Sequence, residues 1–206
     1  MLAVVVAMAV SYQSLASSSP SGSTLATVPS ATTIASVAGV PRSAPRGLSR
    51  EHREVFGEAD GAVPDRTTVF DDGVPGVANL DSALLRALRR AATDAASQGI
   101  QFFVDSGWRS PEYQERLLHE AVSKYGSEAE AARWVATPTT SAHVSGDAAD
   151  LGHSDATAWL SVHGAGYGLC QIYGNEPWHY ELRASAVDHG CPLMYADPTE
   201  DPRMQR

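Results

Sequence analysis

The chain predicts an α+β fold, a small antiparallel sheet with helices packed on it, and three observations carry that expectation. An amphipathic helical stretch, Asp81–Gln98, runs directly into a β-rich segment, Ile100–Asp105. Two runs of strand composition, Tyr167–Tyr173 and Trp178–Leu182, flank a Gly174-Asn175 turn signal and so read as an antiparallel pair. Helical and strand patterns are segregated along the chain rather than strictly alternating, which separates α+β from α/β.

Residues 1–50 differ in composition from the remainder of the chain. Met1–Val10 is an apolar run too short to span a bilayer, which takes about 20 residues. It fits the apolar region of a secretory signal, although no Lys or Arg precedes it, with small-residue cleavage patterns at Ala7-Met8-Ala9 and Ser14-Leu15-Ala16. A cleaved signal and a longer membrane anchor that has lost its beginning both fit residues 1–16, and either implies export. Residues 17–47 are dominated by Ser, Thr, Ala, Pro and Gly without a sustained period, and read as a disordered linker. The folded domain is expected over 48–196, with a polar tail over 197–206.

Within the domain, Leu48–Ala78 is broken by Gly57, Gly61, Pro64, Gly73, Pro75 and Gly76, so a wrapping loop is expected, with at best a short strand near Thr67–Phe70. In Asp81–Gln98 the apolar residues Leu84, Leu85, Leu88, Ala91, Ala92 and Ala95 recur at the helical period; Asp81 or Asn79 can cap the start and Gly99 the end. Ser110 is a good N-cap for the next helix, Pro111 suits its first position, and Gly126 closes it. Its core stripe is expected at Tyr113, Leu117, Leu118, Ala121 and Val122. A short helix is expected over Ser127–Val135, with Ser127 and Glu130 as a capping box, and another over Ser154–His163, with Trp159 and Leu160 facing the core.

Charge narrows the function classes. The net charge is −9, and all 24 acidic residues lie after Arg50. A domain this acidic lacks the basic footprint that nucleic acid requires. The two cysteines, Cys170 and Cys191, are expected to form one disulfide in an exported chain.

Of the seven histidines, His52, His119 and His189 lie in polar or loop sequence and read as surface groups, and His163 sits in the last turn of a helix. His143 and Asp150 belong to S-A-H-V-S-G-D-A-A-D (141–150), and Glu176 and His179 to E-P-W-H (176–179). His153 is close in sequence to the first of these clusters. A carboxylate in the small apolar run A-A-D-L-G must be paired or metal-bound to be tolerated. A catalytic zinc takes three ligands from His, Asp, Glu or Cys and keeps one open position. The His-x6-Asp and Glu-x-x-His spacings are compatible with such a site.

Together with S-G-W-R-S (106–110), these two stretches resemble, in order and spacing, the three motifs of the zinc D-alanyl-D-alanine carboxypeptidases of the VanY type, over about residues 80–182. The resemblance implies the small α+β fold shared with Hedgehog signalling domains. It makes His143, Asp150 and His179 ligands of one Zn2+, Glu176 the catalytic base and Arg109 the group that grips the substrate carboxylate. Ser141 and Gln114 become substrate-binding residues. The implied partner is a peptidoglycan stem peptide or its precursor; the chain itself is expected to be a monomer, extracellular, cell-wall associated or tethered to the membrane through its N-terminus. A bend at Glu176-Pro177 is expected to bring Glu176 and His179 to the same metal, because a plain strand would point them to opposite faces. Trp178 and Tyr180 are then expected in the core, Gly146 in a turn, and Asp147 in solvent. Two alternatives remain open: an endopeptidase of the same fold, and a non-catalytic zinc-stabilised wall-binding module.

Overall fold

The computed structural model describes residues 56–152 and 154–205. The apolar segment 1–16, the linker 17–47, His52 and His153 lie outside the described residues. The helices are α1 (Pro75–Ala78), α2 (Ser82–Ala96), α3 (Pro111–Tyr125), α4 (Glu128–Ala131), α5 (Ala142–Ser145), α6 (Ser154–His163) and α7 (Ala186–His189). The strands are β1 (Phe103–Ser106), β2 (Ala148–Gly152), β3 (Leu169–Gln171) and β4 (His179–Leu182). They form one antiparallel sheet in the order β1-β2-β4-β3.

Helix α2 forms where its apolar period predicts and buries all six expected residues together with Ala87. The Asp81 carboxylate accepts hydrogen bonds from the N–H groups of Ala83 and Leu84, satisfying donors that the first turn leaves unpaired. The buried face packs on Val104, Ala149, Leu151, Leu169 and Tyr180 of the sheet and on Trp159 and Leu160 of α6. Ser110 caps α3 by accepting from Tyr113 N–H, and Gly126 ends that helix at φ 86°.

Strand alternation divides the sheet into two chemistries. In the β2–β4 ladder Ala149 faces Tyr180, while Asp150 faces His179 and Ala148 faces Glu181. Because side chains alternate, Ala149, Leu151 and Tyr180 point to the core and Asp150, His179 and Glu181 share the other face. Cys170, opposite Glu181, lies on that second face. It packs with Ile172, Tyr173 and Ala186 in a smaller cluster against Tyr195 and Met204.

One strand forms where the sequence carries no expectation, and three expectations are corrected. Strand β2 carries the Asp150 motif through the middle of the sheet, although A-A-D-L-G is poor in β-branched residues; both its edges are paired and all five residues are buried. Strand β3 is shorter than Tyr167–Tyr173, because residues 164–167 form a 3-10 turn that ends at Gly168 in the left-handed region. The apolar stripe of α3 does not join the core: of its five residues only Ala121 is buried, and Leu117 and Ala121 line an open cleft. Residues 197–205 pack rather than trail away, with Asp197 and Asp201 buried and two further 3-10 turns at Pro198–Glu200 and Pro202–Gln205.

The disulfide Cys170–Cys191 ties β3 to the stretch just after α7 across a sequence separation of 21. Closing a loop of that length constrains the unfolded chain by about 3 kcal/mol. Replacing both cysteines by Ala should therefore lower stability by about that amount in urea unfolding. An unchanged midpoint and slope would show that the cross-link contributes nothing.

Candidate metal centre and cleft

Three loops converge on the polar face of the sheet. The Ser106–Ser110 segment leaves β1, and its Gly107 passes so close to α1 that a Cβ would stand 1.9 Å from the Gly76 carbonyl oxygen. Gly107 O lies 2.8 Å from His143 Nδ1, and Arg109 N–H bonds back to His143 O. His143 sits on the single turn of α5, which Gly146 ends at φ 80°, as its expected turn requires. A Cβ at Gly146 would stand 2.6 Å from Asn79 O, so both the backbone conformation and the close approach call for glycine. Asp150 is carried on β2 with His179 directly opposite on β4. Glu176 and His179 occupy one turn, closed by His179 N–H to Glu176 O at 3.1 Å, which is the bend expected at Pro177.

One donor atom each from His143, Asp150 and His179 lies within 4.8 Å of the others, and all three residues are buried. Asp150 Oδ1 stands 3.4 Å from His143 Nε2 and 3.1 Å from His179 Nδ1. The opposite atom of each side chain is held by the protein: His143 Nδ1 by Gly107 O, Asp150 Oδ2 by Arg109 Nη2 at 3.0 Å, and His179 Nε2 by Glu181 Oε1 at 3.3 Å. Two imidazole nitrogens and one carboxylate oxygen, each fixed from behind, make a donor set that suits zinc. The residues present therefore fit the metal.

Electrostatics reflect the burial. Burial pushes the Glu176 carboxyl up to about 7, with the nearby Asp150 charge adding to the effect. Its Oε2 lies 3.8 Å from His179 Nδ1. Burial also opposes charge on Asp150, but His143 and His179 hold its carboxyl well below the usual range. Burial lowers His143, reinforced by Arg109. For His179 burial works downward too, yet its bonds to Asp150 and Glu181 raise the imidazole to about 9.

The site forms the floor of a cleft of about 380 Å³, with Leu117, Tyr125, Trp134, Tyr173 and Trp178 on its walls. Trp178 is 40% exposed there, correcting its expected place in the core, whereas Tyr180 is buried as expected. Arg109 reaches the floor, but three acceptors already engage it: Ser106 Oγ at 2.7 Å, Gln114 Oε1 at 3.1 Å and Asp150 Oδ2. Gln114 lines the cleft with both ends of its amide in use, since Nε2 donates to Ala136 O at 2.8 Å. The Ser141 hydroxyl lines the cleft and makes no hydrogen bond among the described residues. Asp147 is exposed, as expected, and accepts from Ser145.

Sequence reasoning missed Glu181 and Tyr173. The first had a usable signal, since a carboxylate two residues after a ligand on a strand shares its face. Tyr173 had none; its ring lies 5.2 Å from that of His179 only because the chain turns at 174–178.

Residues 77–185 match the family profile described as VanY, D-alanyl-D-alanine carboxypeptidase. The chain belongs to that family. It is a family of metallopeptidases, and the match agrees with the resemblance carried by the three motifs. A D-alanyl-D-alanine carboxypeptidase of Enterococcus faecalis (strain ATCC 700802 / V583) is 32% identical over 42% of this chain and 41% of its own, so the match spans less than half of that relative. Among solved structures, VanYB in complex with D-alanine-D-alanine is 26% identical, with a TM-score of 0.49 over 54% of this chain and 74% of that one. A vancomycin-resistance D,D-pentapeptidase VanY variant in complex with Zn(II) is similar to the same extent, covering 75% of that chain. The LD-carboxypeptidase LdcB shares the fold at 23% identity, with a TM-score of 0.50 over 64% of this chain and 72% of that one.

For this VanY-family chain, chelator-free purification should yield about one equivalent of zinc by elemental analysis, and His179→Ala should lose most of it. A parent protein without zinc would remove the metal reading.

Proposed function

We propose that the chain is an exported zinc D,D-carboxypeptidase that hydrolyses the terminal D-alanyl-D-alanine bond of peptidoglycan stem peptides, with a catalytic domain that extends past the expected 48–196 to include the packed residues 197–205. The observation that supports it most is the Glu176 carboxylate lying beside three clustered donors at the floor of the cleft. When bound, zinc would lower the pKa of its water toward about 7 and polarise the scissile carbonyl. His143, Asp150 and His179 would hold it.

Glu176 is assigned the proton transfer. It takes a proton from the attacking water and delivers it to the leaving amine. Burial raises its pKa to about 7, which suits a group that must both accept and donate near neutral pH. Arg109 is assigned the terminal carboxylate. A guanidinium carries five N–H groups. Three bonds hold Arg109 in place, which leaves one N–H on each terminal nitrogen to bond a carboxylate. The Ser141 hydroxyl, on the cleft lining, is assigned a bond to the peptide backbone, and Gln114 is assigned an action on substrate through Arg109. The internal engagement of Arg109 also gives weight to a same-fold endopeptidase, which binds no terminal carboxylate at that position.

Glu176→Gln should retain zinc and lower kcat by about 10²- to 10⁴-fold, the range of general acid–base catalysis. Near-parent turnover would remove Glu176 as the base. Mass spectrometry of a muramyl pentapeptide should show loss of a single alanine.

Arg109→Ala is the test that separates the two peptidase readings. It should depress kcat/KM for a free C-terminal carboxylate by about 10- to 100-fold more than for the amidated peptide, the worth of charge-assisted hydrogen bonds. Equal losses on both substrates would favour the endopeptidase.

A further inference from the structure

Behind the His179 imidazole lies a network to which the C-terminal segment, beyond the family match at 77–185, contributes a guanidinium and a carboxylate. The Glu181 side chain is 1% exposed. A carboxylate so buried must be compensated by charge and hydrogen bonds. Arg203 provides most of this: Nη1 donates to Glu181 Oε2 at 2.7 Å and Nη2 to Oε1 at 3.1 Å. Arg183 adds a contact to Oε2 at 2.7 Å. Glu181 Oε1 in turn faces His179 Nε2, leaving Nδ1 aimed at Asp150 and the cleft.

Arg203 is itself locked. Its Nε donates to both carboxylate oxygens of Asp201, at 3.1 and 2.9 Å, and Asp201 Oδ2 also accepts from the Tyr173 hydroxyl at 3.0 Å. The Tyr173 ring rests against His179. The network therefore closes on the imidazole from two sides, through Glu181 at its Nε2 and through Tyr173 at its face. Nothing in a generic polar tail requires this closure.

Resting on the proposed zinc site, we propose that Arg203 is a positioning residue for the metal. It clamps Glu181 so that His179 is held in one ring orientation and one tautomer, and the C-terminal segment thereby becomes part of the zinc site although it supplies no ligand. A ligating histidine whose second nitrogen loses its carboxylate partner typically binds metal about 10- to 100-fold more weakly. Lys in place of Arg would keep the charge but lose the fork that engages both Glu181 oxygens.

The test measures zinc affinity of the full chain by competition with a chromophoric chelator, with far-ultraviolet circular dichroism of each metal-free variant as a folding check. Arg203→Ala should weaken zinc by about 10- to 100-fold and Arg203→Lys by an intermediate factor. Arg133→Ala cuts a different tether of the same segment, the 2.8 Å Arg133–Asp197 pair, without touching Glu181, and should stay within about twofold of the parent. If Arg203→Ala does not fold, the ordering of Arg203→Lys, Arg133→Ala and parent decides the matter. Parent-like affinity in the Arg203 variants overturns the proposal, and so does an equal loss in Arg133→Ala, which would make the segment a general support. A parent that binds no zinc instead fails the metal reading, and this inference falls with it.

Discussion

The pairing of Asp150 with His179 across β2 and β4 is the constraint on which the rest of the structure depends. A shift of one residue would send both groups into the apolar core and bring Ala149 and Tyr180 to the cleft. The register is protected because the core face is unforgiving: Tyr180, Leu151 and Ala149 are all buried under α2 and α6. Apolar packing on one side of the sheet thus fixes donor geometry on the other. The Arg109 loop joins from β1, where a register irregularity places Ser106 against Asp150.

The polar face gathers three buried carboxylates, Asp150, Glu176 and Glu181, around two imidazoles. They are not equivalent. Asp150 and Glu181 are each tied to a guanidinium and at least one imidazole, and both are held low. Glu176 forms no guanidinium ion pair among the described residues, and burial raises it. Two carboxylates are therefore kept charged beside the histidines while the third is pushed toward its neutral form, a divergence of environments that the proposed acid–base role of Glu176 would use.

Much of this was legible in the sequence where local chemistry decides the outcome. Asp81, Ser110 and Ser127 cap helices through contacts two or three residues away, and Gly146 and Gly126 answer to backbone angles. The same holds for α2, whose stripe has one face and buries it entirely in the core. Legibility failed where the partner lay far along the chain. The α3 stripe had the right period for a core helix, but a period tells only that one face is apolar; here that face lines a cleft. Strand β2 was hidden because small residues owe their place in it to pairing on both edges rather than to intrinsic preference. Trp178 sits in a proline turn, which releases it from the alternation that buries Tyr180. The positions of Asp201 and Arg203 depend on a carboxylate some twenty residues earlier, Glu181, and no local pattern announces that.

Arg109 links the two halves of the candidate site. Its guanidinium holds the outer oxygen of Asp150, whose inner oxygen faces both histidines, while Ser106 and Gln114 fix its plane. A substrate carboxylate meeting the remaining N–H groups would therefore be registered against the same side chain that orients a metal donor. On the proposed function, position of the scissile bond and position of the metal would then be set by one rigid group rather than by two independent ones. Such coupling suits a reaction in which the cleaved bond lies one residue from the bound terminus, because an error in either position displaces the carbonyl from the attacking water. It also gives a physical reason for burying Gln114 at the base of the cleft with its amide engaged at both ends: it holds the plane of the Arg109 guanidinium.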